Sequence, residues 1–219
     1  MIYFYKRLKY FFMKNKKLEG ILTFLHRANE LKRTPRFESS LSEKGDSVAE
    51  HSWRLTLMVH VIGTELDEPL DLQKAMAMAL IHDLAESVTG DIDAIDQIND
   101  TDKDKIQNKH RDEVKAMGKI LKGIPFAGDI YKVWDEFEEQ KLPEAKFVKA
   151  LDKIEAYLHL DECGTDVYIP KEFHSDYADK AVKSFDAAIK HFPKLKDLLE
   201  AVKEELKEKF AKEGVGWIE

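Results

Sequence analysis

One cysteine, Cys163, in 219 residues excludes an intrachain disulfide and fits a reducing cytosol, so the expected compartment is cytoplasmic. Cys163 itself reads as structural rather than nucleophilic. No apolar run is long enough to span a bilayer, which argues against a membrane partner. The aromatic and basic run Met1 to Phe12 is interrupted by Lys6, Arg7 and Lys9, and no small-residue cleavage site follows it. A signal peptide is therefore not expected. Positive charge is also in short supply. With 35 Lys and Arg against 42 Asp and Glu, the net charge of −7 argues against a nucleic-acid polymer as partner, because such binding rests on neutralising phosphates. A small anionic substrate needs only a few locally placed cations. Sustained strand alternation, internal repeats and long low-complexity linkers are absent too.

What remains is helical periodicity. Apolar residues make up 43% and charged residues 35%, which suits a soluble, mostly helical chain large enough for one good core. Stripes at helical spacing predict helices near 16–32, 47–66, 71–88, 103–122, 126–141, 144–163, 175–191 and 194–212, an all-α architecture. The expected division is an N-terminal extension over 1–15, one domain over 16–192, and a C-terminal helix and tail over 193–219. Met13-Lys14-Asn15-Lys16-Lys17 has the look of an ordinary start, which would leave residues 1 to 12 as an addition.

Two helix starts are written clearly. Ser47-Val48-Ala49-Glu50 has the form of a capping box, and Asp71 can cap the helix that follows the Pro69 break. The first of these helices carries an apolar face of Val48, Leu55, Met58, Val59, Ile62 and Leu66, and His51 falls on it. In the second, the stripe of Leu72, Ala75, Met76 and Ala79 continues into Asp83 and Glu86, where apolar residues are expected. An ionised carboxylate buried without a partner costs several kcal/mol, roughly, or turns neutral, so acids on a core face call for a cation opposite them. Thr89-Gly90-Asp91 ends the helix, with Gly90 free to take the left-handed conformation and turn Asp91 back toward Asp83 and Glu86. The polar stretch from Asp91 to Lys105 reads as a loop at the rim of a site.

His51, the adjacent pair His82-Asp83, and Asp152 lie on three predicted helices, in an order that can close around one divalent metal. Two imidazoles and two carboxylates suit Mn, Co, Fe, Ni or Zn, with Mg the poorer fit. They leave positions open for water and substrate, and a water so held becomes acidic enough to act near neutral pH. Glu86, three residues after Asp83, could orient or deprotonate that water.

The blocks Ser47-Val48-Ala49-Glu50-His51-Ser52, His82-Asp83-Leu84-Ala85-Glu86, Thr89-Gly90-Asp91 and Leu151-Asp152-Lys153-Ile154 together resemble the HD-domain superfamily of metal-dependent phosphohydrolases. The likeness runs over roughly residues 18 to 190. Within the superfamily it is closer to the bacterial 5′-deoxynucleotidases and the eukaryotic HD domain-containing protein 2 group. Each block is short, and it is their order that carries the resemblance. It implies an HD-type helical bundle with the C-terminal helices packed on it, and a metal held by His51, His82, Asp83 and Asp152. Asp83 and Glu86 would then be catalytic, and Glu86 and Asp91 would complete the site beside substrate or a second ion. The implied reaction removes the 5′-phosphate from a (deoxy)nucleoside monophosphate, with a small-molecule nucleotide as substrate and a homodimer as the assembly. The family also places an arginine before the first ligand helix to contact phosphate, and Arg33 matches it, with Arg36 and Lys32 as alternatives. Bacterial members often follow that arginine with a tryptophan, where this chain has Thr34.

Other readings compete. The wider superfamily includes phosphodiesterases and pyrophosphohydrolases of signalling nucleotides, and a metal could instead brace a non-catalytic scaffold. Residue by residue, Asp152 could be an ion-pair partner of Lys149 or Lys153, and Asp91 a plain turn residue. Asp93 reads as a solvated loop acid, and Glu155 and His159 as supporting or surface residues. His26, His60, His110, His174 and His191 show no partner pattern. Trp53 and Trp134 read as packing residues and Trp217 as tail. The acidic segment Asp129 to Gln140 should bury Trp134 and Phe137 and leave its acids wet.

Overall fold

The computed structural model describes the backbone of residues 2–38, 45–92, 103–163 and 171–218. Among these the chain is helical, and the one extended pairing is an isolated bridge between Pro35 and Ser47. Helix α1 (Ile2–Ala28) passes into a 3-10 turn, Asn29–Arg33. Helix α2 (Val48–Glu65) starts on the expected capping box. The Ser47 hydroxyl accepts from the Glu50 amide at 3.2 Å, and the Ser47 amide donates to the Glu50 carboxylate at 2.8 Å. Helix α3 (Leu72–Ile81) starts where Asp71 accepts from the Lys74 amide at 3.0 Å. Both caps satisfy amides that the first helical turn leaves without partners.

The expected helix over 71–88 is in fact two. After Ile81 the bonds tighten to three-residue spacing, with Leu84 N to Ile81 O at 3.1 Å, Glu86 N to Asp83 O at 2.9 Å and Ser87 N to Leu84 O at 3.3 Å, before the short α4 (Glu86–Thr89). Residues three apart eclipse one another in such a turn. Asp83 and Glu86 therefore share a side more closely than an unbroken α-helix would allow. Gly90 then takes φ 74° and ψ 160°. The positive φ was expected, but the ψ lies outside the left-handed helical region, in territory open essentially to glycine alone.

The chain continues through α5 (Lys103–Ile120), α6 (Ala127–Glu138), α7 (Pro143–Cys163) and α8 (Lys171–His191) to a 3-10 turn, Pro193–Leu195, and α9 (Lys196–Lys212). Pro143 occupies the first position of α7, where its missing N–H costs nothing. Helices α2 and α3 pack along each other, and both lie on α7. Leu55 and Val59 of α2, Met78 and Ala79 of α3, and Phe147, Leu151 and Ile154 of α7 form the centre of the core. Leu195, Leu199, Leu206 and Phe210 extend that core into the C-terminal segment. A second cluster gathers Leu31, Val48, Leu84, Met117, Ile120 and Trp134, joining α5 and α6 to the turn after α3.

As expected, α6 buries Trp134 and Phe137. One tryptophan reading is corrected, since Trp53 is 65% exposed on α2. Trp217 lies in the tail beyond the last helix, as expected, and packs there on Phe210 with ring centroids 5.6 Å apart. Asp93 and the rest of the expected loop up to Asp102 lie outside the described residues, as does the side chain of His174. Among the described residues no helix is long and apolar enough to cross a membrane.

An alanine Cβ at position 90 would meet no atom within 4 Å, so Gly90→Ala tests backbone conformation alone. We expect a loss of about 1–3 kcal/mol in chemical denaturation. An unchanged unfolding midpoint would show that the turn does not need glycine.

Candidate metal centre

The three-helix packing brings His51, His82, Asp83 and Asp152 to one point. His51 lies in the first turns of α2, His82 caps the C-terminal end of α3, Asp83 follows in the tight turn, and Asp152 is midway along α7. The two Nε2 atoms are 3.3 Å apart. Asp83 Oδ2 is 2.9 Å from His82 Nε2 and 3.7 Å from His51 Nε2, while Asp152 Oδ1 is 3.3 Å and 4.0 Å from His51 and His82 respectively.

Hydrogen bonding on the far side of each ring assigns the protons. His82 Nδ1 faces the Ala79 carbonyl at 2.9 Å, and a carbonyl can only accept, so Nδ1 donates and Nε2 keeps a lone pair. His51 Nδ1 is bonded to Glu155 Oε2. Glu155 is fully buried, and burial pushes its carboxyl up, but His51, Arg36 and Arg54 hold it at about 2. An ionised Glu155 makes His51 Nδ1 the donor too. With both imidazoles in the neutral form that a metal requires, two nitrogen lone pairs and two carboxylate oxygens converge on one point. That set repels itself unless a cation lies at its centre, and its spacing suits one divalent transition metal.

The electrostatics agree. Burial and the Arg36 guanidinium oppose charge on His51, but bonds to Asp152 and Glu155 outweigh them and push the imidazole up to about 10. Asp83 is held well below the usual carboxylate range against its burial, by His82 and then His51. Asp152 is held low in the same way, by Lys149 first and then the histidines. The raised imidazole reports the carboxylates around it, and the lowered carboxyls report the histidines and Lys149.

Beside the donors lies a cavity of about 190 Å³, walled by Arg36, Phe37, Asp83, Glu86, Asp91, Lys109, Lys149, Asp152 and Lys153. Glu86 is buried, with Oε1 3.3 Å from Lys109 Nζ and with Oε2 lacking a partner among the described residues. Burial, then Asp83 and Asp91, raise the Glu86 carboxyl well above its ordinary value. Asp91 is raised as well, by burial above all and by Asp83, although Arg36 and Lys109 pull the other way. Gly90 does bring it to the same wall, as expected.

The arginines fall differently from expectation. Arg33 does not line the cavity; its side chain is 74% exposed and pairs with Glu30 at 3.4 Å. Arg36, the alternative, is buried at the wall. Its Nη1 reaches Asp46 Oδ2 at 3.2 Å and Glu155 Oε2 at 3.3 Å. Alternation in the extended stretch after the 3-10 turn selects it. The Arg36 N–H donates to Asp46 O at 2.8 Å and the Val48 N–H to Thr34 O at 2.9 Å. Thr34 is itself buried, its hydroxyl donating to Glu30 O at 3.1 Å.

Glu155 is the main residue that sequence reasoning undervalued. It sits behind His51 and takes bonds from Arg36 and from Arg54 Nε at 2.8 Å. Its signal was a glutamate beside Ile154 on the apolar side of α7. Lys109 gave no such signal, because only the packing of α5 against α4 brings it to Glu86. His110, read as partnerless, is bonded to Glu138 at 3.2 Å and stacked on Trp134. Cys163 is partly buried with Sγ 3.4 Å from His159 Nε2, in keeping with a structural role.

Comparison with known proteins places this geometry. The family model described as "HD domain" matches residues 28–196. The chain is 37% identical over 147 residues to 5′-deoxynucleotidase HDDC2 of Mus musculus, covering 65% of this chain and 69% of the mouse protein. Against 5′-deoxynucleotidase HDDC2 of Xenopus laevis it is 33% identical over 191 residues, covering 85% and 88% of the two chains. Among solved structures, a predicted metal-dependent phosphohydrolase from Magnetospirillum magnetotacticum MS-1 superposes with a TM-score of 0.70 at 23% identity, over 93% of this chain and 97% of that one. That last likeness shows a shared fold. With most of its length matched by the family model and by a relative of nearly equal extent, the chain belongs to the HD domain family.

Proposed function

We propose that the protein is a metal-dependent phosphohydrolase that removes the 5′-phosphate from deoxynucleoside monophosphates. The observation that carries this reading is the convergence of four electron-pair donors beside the buried carboxyl of Glu86, in a cavity rimmed by cations. The names of the relatives supply the substrate class. His51, His82, Asp83 and Asp152 hold the metal, which the nitrogen and oxygen donor set suits to Mn, Co, Fe, Ni or Zn. When bound, it supplies Lewis acidity, making water more acidic and taking up charge on phosphoryl oxygens.

The chain's own groups do the rest. Arg36, whose bonds to Asp46 and Glu155 run through Nη1 among the described residues, has further guanidinium donors for phosphate and takes the part expected of Arg33. Lys109 and Lys149 add positive charge at the same wall. Glu86 Oε2 has no donor among the described residues, and its raised proton affinity suits it to take a proton from attacking water as the new P–O bond forms. The P–O5′ bond breaks, and that proton becomes available to the departing 5′-oxygen. Asp91 shapes the cavity next to Glu86. Glu155 fixes the tautomer and angle of His51. Trp53, Leu57 and Val61, exposed at helical spacing on α2, support the homodimer implied by the family resemblance.

Phosphate release from a panel of deoxyribo- and ribonucleoside 5′-monophosphates, by metal-stripped protein with single metals restored, tests the reading. We expect release only with metal. Asp83→Ala should abolish it, while Glu86→Gln should keep the metal and lose about 10²- to 10⁴-fold in kcat. No release from any monophosphate under any metal would sink the nucleotidase assignment. Unfolding on metal removal would point to a bracing metal instead. For Glu155→Gln, chelator competition should show metal affinity lowered by about 10- to 100-fold. Unaltered affinity would mean that His51 needs no such support.

A further inference from the structure

Next to the metal centre lies a larger cavity, of about 460 Å³, between the end of α6, the middle of α7 and the C-terminal half of α8. It shares Lys149 and Lys153 with the catalytic wall, so the two spaces meet at those side chains. Its chemistry is different. Lys146, Lys149 and Lys153 stand at i, i+3 and i+7 on one face of α7, and Lys183 and His191 face them from α8. Ala150, Ala187 and Ala188 line it between these groups. No acidic side chain is among its described lining residues.

In a chain with a net charge of −7, four lysines and a histidine around one apolar-lined hollow are an unusual concentration. Like charges one turn apart on a helix repel. Lys149 is offset by Asp152 at 2.9 Å and Lys183 by Asp179. Among the described residues, Lys146 and Lys153 have no carboxylate partner. The nucleotide of the proposed reaction does not account for this. A nucleoside monophosphate has one phosphate, which belongs at the metal, and its sugar and base are uncharged.

We propose that this cavity is a second anion site, which binds an organic phosphate with its phosphate on the lysines and its apolar body against the alanines. Lysine serves phosphate as a point charge, and the volume falls within the range of small-molecule sites. The site is coupled to the metal centre through one side chain. Lys149 Nζ holds Asp152 Oδ2 and lies 5.7 Å from the centre of the Phe137 ring, so an anion that engages Lys149 competes directly with a metal-facing carboxylate. The proposal stands apart from the choice of hydrolysed substrate, because it is read by binding.

The test is calorimetric titration of the full chain with phenylphosphonate, whose C–P bond resists phosphatase chemistry, in parallel with inorganic phosphate. Wild-type protein is expected to bind two equivalents of phenylphosphonate, and Asp83→Ala to retain the one in the lysine cavity. Adding Lys146→Glu and Lys183→Glu, neither of which touches the catalytic wall, should weaken that remaining equivalent by about tenfold or more. Inorganic phosphate should bind Asp83→Ala more weakly than phenylphosphonate, since it has no body to lay on the alanines. Lys146→Ala with Lys183→Ala replaces the charge reversal if thermal unfolding shows the reversed variant to be misfolded. Identical affinity with and without the lysine changes, or no binding to Asp83→Ala, overturns the proposal. Failure of the nucleotidase assay would leave these titrations unaffected.

Discussion

The bond from His51 to the buried carboxylate of Glu155 is the interaction on which the remainder of the centre depends. A carboxylate with no solvent exposure is costly to hold as an anion, and this one is held by three donors from two separate segments, His51 and Arg54 of α2 and Arg36 ahead of it. The direction of the bond decides which nitrogen of His51 faces His82, Asp83 and Asp152. It also ties α7 to α2, beside the contacts of Arg54 with Glu155 and Glu162. The metal-facing atoms are therefore set by a bond made one layer behind them.

The charge arrangement follows from that layer. Arginines serve the structural side of the centre, where fixed forks satisfy Glu155, Asp46 and Glu162. Lysines serve the cavity side, where Lys109 and Lys149 each hold an acid that also faces the open space. A flexible stem with a single charged end can yield to an incoming anion more readily than a braced guanidinium can. Arg36 belongs to both groups, being anchored on one nitrogen and exposed to the cavity along its wall.

Much of this was legible in the sequence because the signals were local. The capping box at Ser47, the Asp71 cap, and a histidine on the apolar face of α2 are each visible within one turn of helix. So was the run of acids after the α3 stripe, although the tight turn that makes Asp83 and Glu86 eclipse could not be separated from a continuing helix by periodicity alone. What was missed depended on partners distant in the chain. Arg33 and Arg36 are indistinguishable by type, and only the pairing of Thr34 and Arg36 with Asp46 and Val48 turns the second inward. Lys109 reaches Glu86 across 23 positions, and Glu155 reaches His51 across 104. Trp53 misled because a large aromatic on a core-bearing helix usually faces the core, and here it lies on the opposite side.

The two backbone bonds that flank the Pro35–Ser47 bridge use amides and carbonyls rather than particular side chains. They fix the spacing between Arg36 and the start of the helix that carries His51, whatever lies between Phe37 and Gly45. The registry of Arg36 and the metal centre is thus carried by main-chain groups, and among substitutions only a proline at position 36 or 48 would remove one of their donors.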